Sequence, residues 1–146
     1  MNATDYGLLY RELESLLADE PDEIARMAQT AALLHERLGV HWAGFYMVRE
    51  DTLVLGPFQG PPACFRIKYG KGVCGTAWKE ARTVVVPDVE AFPGHIACSA
   101  LSRSEIVVPV FGGGKIKAVL DIDSTALDAF SDTDAAWLEK VAALCG

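Results

Sequence analysis

The chain has 146 residues, a net charge of −7, and 51% hydrophobic against 23% charged residues. That length suits one domain with a complete core, and that composition excludes intrinsic disorder. The acidic balance and the lack of a real basic cluster (Arg66, Lys68 and Lys71 come nearest) exclude nucleic acid as a partner, and no apolar run nears the ~20 residues that span a bilayer.

The first segment, MNATDYGLLYRELESLLADE, is acidic and amphipathic, with Leu8, Leu9, Leu13, Leu16 and Leu17 at helical spacing. It lacks the basic n-region and small-residue cleavage site of a signal peptide, so a cytoplasmic location is expected. After Pro21, Ile24, Met27, Ala28, Ala31 and Leu34 mark a second helix, which Gly39 stops. His41 to Val48 is aromatic and β-branched enough for a strand, with Asp51 at the turn and Thr52 to Leu55 as its partner. GPFQGPPACFRIKYGKGVCG then reads as strand fragments joined by loops. Thr76 to Ala81 is the next candidate helix and Val84 to Val86 a short strand. A long loop is expected from Asp88 to Arg103, and such loops are disproportionately functional. Ser104 to Phe111, a Gly112-Gly113-Gly114 turn and Ile116 to Asp123 spell a β-hairpin. Ser131, with Asp134 three residues on, caps a last helix carrying Trp137, Leu138, Val141 and Leu144 on one face. The order predicts an α+β fold: a central antiparallel sheet, N- and C-terminal helices packed on one face, and a ligand pocket on the other. The amphipathic terminal helices also suit a homodimer interface.

Of the four cysteines, Cys64, Cys74 and Cys98 fall in the loop-rich middle, beside Gly, Pro and polar residues rather than on an apolar face. Two thiols close together allow an oxidised cysteine to resolve as a disulfide. Unrelated thiols are the competing reading. Zinc is disfavoured, because the spacings Cys-x9-Cys and Cys-x23-Cys, even with His95 nearby, contain no close ligand pair. Asp121 and Asp123 project from the same side of one strand. A wet edge strand would tolerate them, but Val119 and Leu120 argue for an inner strand. There a carboxylate pair must bind something or share a proton. Glu105, at the start of the partner strand, is placed to join them. Trp42 and Tyr46 face together while Phe45 alternates away, so those two rings either wall a site or belong to the core. Gly70, Gly72 and Gly75 spell G-x-G-x-x-G without the parallel βαβ context of a dinucleotide site, and are better read as a tight turn holding Cys74. His95 is read as shaping its loop.

The segments HWAGFY (41–46), GPFQGPPAC (56–64), GKGVCGTA (70–77), VPDVEAFPGHIAC (86–98), SEIVVPV (104–110) and VLDIDS (119–124) together resemble the free methionine-(R)-sulfoxide reductases of the GAF-domain family. The resemblance implies a single GAF domain over 1–146, with N-terminal helices in 1–38, sheet and catalytic loops in 41–124, and a C-terminal helix in 131–145. It implies reduction of free methionine-(R)-sulfoxide with no bound cofactor, thioredoxin and ultimately NADPH supplying electrons. Cys98 matches the attacking position, Cys64 the resolving one, and Cys74 a third cysteine that assists or relays. Glu105, Asp121 and Asp123 match the substrate-activating acidic cluster, and Trp42 and Tyr46 the aromatic wall around the substrate methyl group. Two departures stand out: Ser99 where Asp is expected, and Ala118 where Gly is usual. A GAF module that senses a small molecule or an oxidant without turnover is the alternative.

Overall fold

The computed structural model describes residues 4–96, 98 and 101–146. Helix α1 (Tyr6–Leu17) starts where the Asp5 carboxylate accepts the Leu8 amide, satisfying one of the unpaired N–H groups of a helix start. Its stripe of Tyr6, Leu9, Leu13 and Leu17 is buried. Helix α2 (Glu23–Leu38) uses Asp22 in the same way, which puts Pro21 before the cap rather than in the first turn. Gly39 ends it at φ 63°, a left-handed backbone that glycine adopts without a Cβ penalty.

The strands are β1 (Trp42–Arg49), β2 (Thr52–Gln59), β3 (Arg66–Lys68), β4 (Val84–Val86), β5 (Ser104–Gly112) and β6 (Lys115–Ser124). They form one sheet in the order β3-β2-β1-β6-β5-β4, and every recorded pairing is antiparallel. Strand β2 runs four residues past its expected end, because Phe58 and Gln59 pair with Gly44 and Ala43 of β1 beyond an irregularity at Gly56 and Pro57. Gly112 belongs to β5, so the tight turn is Gly113-Gly114, both at positive φ. Helix α4 (Asp132–Ala143) carries the full capping box between Ser131 and Asp134. Buried Asp134 also accepts the Tyr6 hydroxyl, joining the two ends of the chain.

Helices α1, α2 and α4 cover one face of the sheet, where Phe45, Met47, Ile106, Val108, Leu120 and Ile122 meet Leu13, Met27, Leu34 and Leu138. A fully buried side chain of this size stabilises by about 1.5–3 kcal/mol. The Arg26 guanidinium adds a polar tie, donating to the carbonyls of Leu17, Glu20 and Leu144. Ala118 is buried in this layer and Cys145 contacts Thr30 there, far from the other thiols. The opposite face carries Trp42, Tyr46, Leu53, Ile67, Val107 and Val119, and α3 (Gly72–Glu80) packs on it through Val73, Cys74 and Ala77. Helix α3 begins four residues before the predicted Thr76. Cys74 therefore sits in a helical first turn, not in a loop. The glycines explain the difference. Gly70 and Gly72 turn the chain at positive φ, and a Cβ on Gly75 would lie 2.6 Å from the Lys68 carbonyl oxygen, so only glycine lets the helix approach the end of β3. No helix among the described residues is long and apolar enough to cross a membrane.

Candidate active site

Strand β6 lies between β1 and β5, and its register assembles the site. Asp123 stands opposite Trp42 on one side and Glu105 on the other, and Asp121 is one pleat further along. Asp121 and Asp123 point to the same face as expected, and that face is the one without the terminal helices. They open onto a small cavity of about 40 Å³, shared with Glu105, Trp42, Tyr46, Cys74, His95 and Cys98. Glu105 and Asp121 are each only 6% exposed, and Asp123 is less deeply set.

Three carboxyls enclosed together cannot all remain charged. Loss of water raises Glu105 well above the ordinary carboxylate range, and the neighbouring Asp121 adds to it. Burial followed by repulsion from Asp123 does the same for Asp121. Burial and the charge of Glu105 do so for Asp123. The cluster therefore holds protons at pH values where ordinary carboxylates have lost theirs. Asp121 Oδ1 is buried without a hydrogen-bond partner, an arrangement that calls for a donor from a ligand. Burial likewise pushes the Cys74 thiol up, helped by the field of Asp121, so it stays protonated beside the carboxyls rather than serving as a ready nucleophile.

Above the cluster Cys64 and Cys98 form a disulfide, with Cα atoms 5.4 Å apart. Cys64 lies between β2 and β3 and Cys98 in the loop before β5. The aromatic pair does more than wall the cavity. Tyr46 donates its hydroxyl to the Cys64 carbonyl at 2.9 Å, and the Trp42 indole donates to the Pro61 carbonyl at 3.1 Å. Both rings therefore hold the loop that carries Cys64. Trp42 also stacks on Tyr46 and on Phe58. Residue type and spacing announced the rings but not these loop contacts.

His95 contributes more than loop shape. Its Nε2 lies 3.8 Å from Glu105 Oε1 and its ring lines the cavity. Burial lowers its pKa, so the imidazole is neutral at pH 7 and the contact is not an ion pair. Ser102 and Ile67 also line the cavity and carry no motif that would single them out. Ser99 lies outside the described residues. Cys74, Glu105 and Asp121 offer donor atoms within 4.8 Å of one another, a spacing a metal ion would accept. Cys64 and Cys98 are bonded to each other and offer no free thiolate for one.

Residues 22–146 match the family model described as the GAF domain. The chain is 50% identical over 145 residues to the free methionine-R-sulfoxide reductase of Escherichia coli strain K12, covering 98% of this chain and 88% of that one. It is 51% identical over 137 residues to GAF domain-containing protein A of Dictyostelium discoideum, covering 93% of this chain and 87% of the relative. The solved free methionine-R-sulfoxide reductase of Neisseria meningitidis, in complex with its substrate, superposes with a TM-score of 0.95 at 52% identity, over 99% of this chain and 90% of that one. A curved antiparallel sheet with a thiol-capped acidic pocket, and half-identical relatives along nearly its whole length, place this chain in the GAF-domain family, together with the free methionine-R-sulfoxide reductases.

Proposed function

We propose that this chain reduces free L-methionine-(R)-sulfoxide to methionine, with Cys98 as nucleophile, Cys64 as resolving thiol and the three carboxyls as proton donor and substrate clamp. The carrying observation is a disulfide between Cys64 and Cys98 over a cavity that holds Glu105, Asp121 and Asp123. A sulfoxide oxygen leaves sulfur poorly until it is protonated, and a carboxyl kept neutral by burial and like charges supplies that proton. The Cys98 thiolate attacks the polarised sulfur, and the protonated oxygen passes to Cys98 as a sulfenic acid while methionine is released. The Cys64 thiolate then attacks the sulfenic sulfur, whose hydroxyl leaves as water with a proton from the cluster. One sulfoxide and two thiols become one sulfide, one disulfide and one water.

Asp121 Oδ1, lacking a donor, suits the ammonium group of a free amino acid. A peptide-bound residue has no such group, which accounts for selection of the free amino acid. The R preference is carried over from the relatives. Cys74, protonated and against Asp121, acts as a relay thiol rather than the first nucleophile. With the disulfide closed, the cavity has room for water but not for the substrate. Substrate therefore enters the reduced protein. Thioredoxin, ultimately at the expense of NADPH, is the proposed reductant, and the cytoplasm, where reduced dithiol proteins are available, the proposed location. A homodimer through the exposed Leu8 and Leu16 of α1 is the proposed assembly.

The test is methionine release from free methionine-(R)-sulfoxide, with the S epimer and a peptide-bound sulfoxide alongside and dithiothreitol as reductant. Turnover of the free R epimer alone supports the reading. No turnover of any substrate by folded, reduced protein would turn the assignment to a ligand-sensing GAF module.

A further inference from the structure

Recycling requires a protein dithiol to reach the Cys64–Cys98 bond, and the two sulfurs are not equivalent towards it. Thiol–disulfide exchange proceeds by a thiolate approaching one sulfur in line with the bond while the other sulfur departs. Cys98 lines the carboxyl cavity, whereas Cys64 is not among its lining residues. On its cavity side Cys98 meets a space of about 40 Å³, which admits water but no polypeptide segment. Attack on Cys64, which does not line that cavity, expels Cys98.

The surface around Cys64 differs from the rest of this acidic chain. Phe65, directly after Cys64, is 77% exposed, and Leu101, near Cys98, is 63% exposed. Large apolar side chains left this open beside a reactive bond mark a contact surface rather than a packing defect. Arg66 and Lys68 point outward on β3, an edge strand, on either side of buried Ile67. From residue 52 to 79 the sequence carries Arg66, Lys68, Lys71 and Lys79 and no acidic residue, in a chain of net charge −7.

We propose that a dithiol protein reductase with an apolar contact surface and an acidic rim docks over Phe65 and attacks Cys64, not Cys98. This rests on the reading that the disulfide is a turnover intermediate. The reductase thiolate bonds to Cys64 Sγ, the Cys64–Cys98 bond breaks, and its electron pair leaves on Cys98. The reductase's second thiolate then attacks its own half of the mixed disulfide and releases Cys64 as a thiolate. The reductase is oxidised to a disulfide and this chain gains two electrons. The protons of the two reductase thiols re-protonate Cys64 and Cys98.

The deciding experiment incubates the oxidised protein with a thioredoxin whose second active-site cysteine is serine, then maps the trapped mixed disulfide by peptide mass spectrometry. The expected adduct is on Cys64, with Cys98 free to be alkylated. An adduct on Cys98, or none on either cysteine, overturns the proposal. In parallel, Phe65→Ala should lower kcat/KM for thioredoxin by about fivefold or more while dithiothreitol-driven turnover stays at the wild-type rate. Undiminished thioredoxin efficiency, or an equal fall with dithiothreitol, overturns the docking role of Phe65. Wild-type turnover with dithiothreitol tests the reductase reading separately: turnover together with an adduct on Cys98 would overturn this proposal and leave that reading standing, whereas no turnover would remove both.

Discussion

Replacing Asp121 by Asn should make the folded protein more stable at alkaline pH while disabling it. Carboxylate oxygens of Glu105 and Asp121 lie within 4.8 Å of each other. At that separation, and an effective dielectric constant of about 20, two unit charges repel by about 3.5 kcal/mol. The wild type relieves part of this by retaining a proton, which is why both groups sit above the ordinary carboxylate range. Folded protein therefore binds more protons than the unfolded chain, and stability must fall as pH rises. The contribution is intact below the range where unfolded carboxyls titrate, and it is lost as pH climbs through the raised folded values. Asn removes one charge and brings donors to the unsatisfied position. The expected gain is about 1–3 kcal/mol at about pH 8, or roughly 3–10 °C in Tm, shrinking towards zero at about pH 4. The assay is denaturant unfolding of oxidised wild type and variant across that pH range, with dithiothreitol-driven turnover measured on the same preparations. Turnover should fall by about a hundredfold or more, as loss of a positioned proton donor and clamp implies. A variant less stable than wild type at about pH 8, or a gain of equal size at both ends of the range, would refute the account of mutually raised carboxyls.

Cys98→Ser should abolish both turnover and the single-turnover release of methionine. Cys64→Ser should retain one stoichiometric release but lose thioredoxin-driven recycling; continued recycling would transfer the resolving role to Cys74. Tyr46→Phe leaves the Cys64 carbonyl without its donor, so unfolding titrations should show a loss of about 1–2 kcal/mol. Disulfide closure, followed by quenched-flow alkylation, should slow more than the methionine burst does. Gly75→Ala forces a Cβ against the Lys68 carbonyl and should cost about 1–3 kcal/mol, read from the denaturation midpoint; an unchanged midpoint would mean that α3 is free to shift away from β3.

Period and punctuation in the sequence decided a great deal. Leucines at helical spacing with Asp5 and Asp22 as caps, Ser131 with Asp134, and a glycine turn between two apolar runs are local signals, because each element's hydrogen bonds close within a few residues. The alternation that sets Asp121 and Asp123 on one face is local too, as is the pairing of Trp42 with Tyr46 against Phe45. The resemblance of the quoted segments to the free methionine-(R)-sulfoxide reductases points to the chemistry without any geometry. What sequence left open depends on partners distant along the chain. The start of α3 is not legible locally, because Gly72 and Gly75 look like loop residues until β3 packs against Gly75. Asp121 and Asp123 became an unavoidably coupled group only when antiparallel register brought Glu105 alongside and α3 roofed the cavity with Cys74. Proton affinity follows from exclusion of water and from neighbouring charge, and neither is a property of residue order. The same holds for the anchoring of the Cys64 loop by Trp42 and Tyr46, for the place of His95 beside Glu105, and for which cysteine of the disulfide lines the cavity.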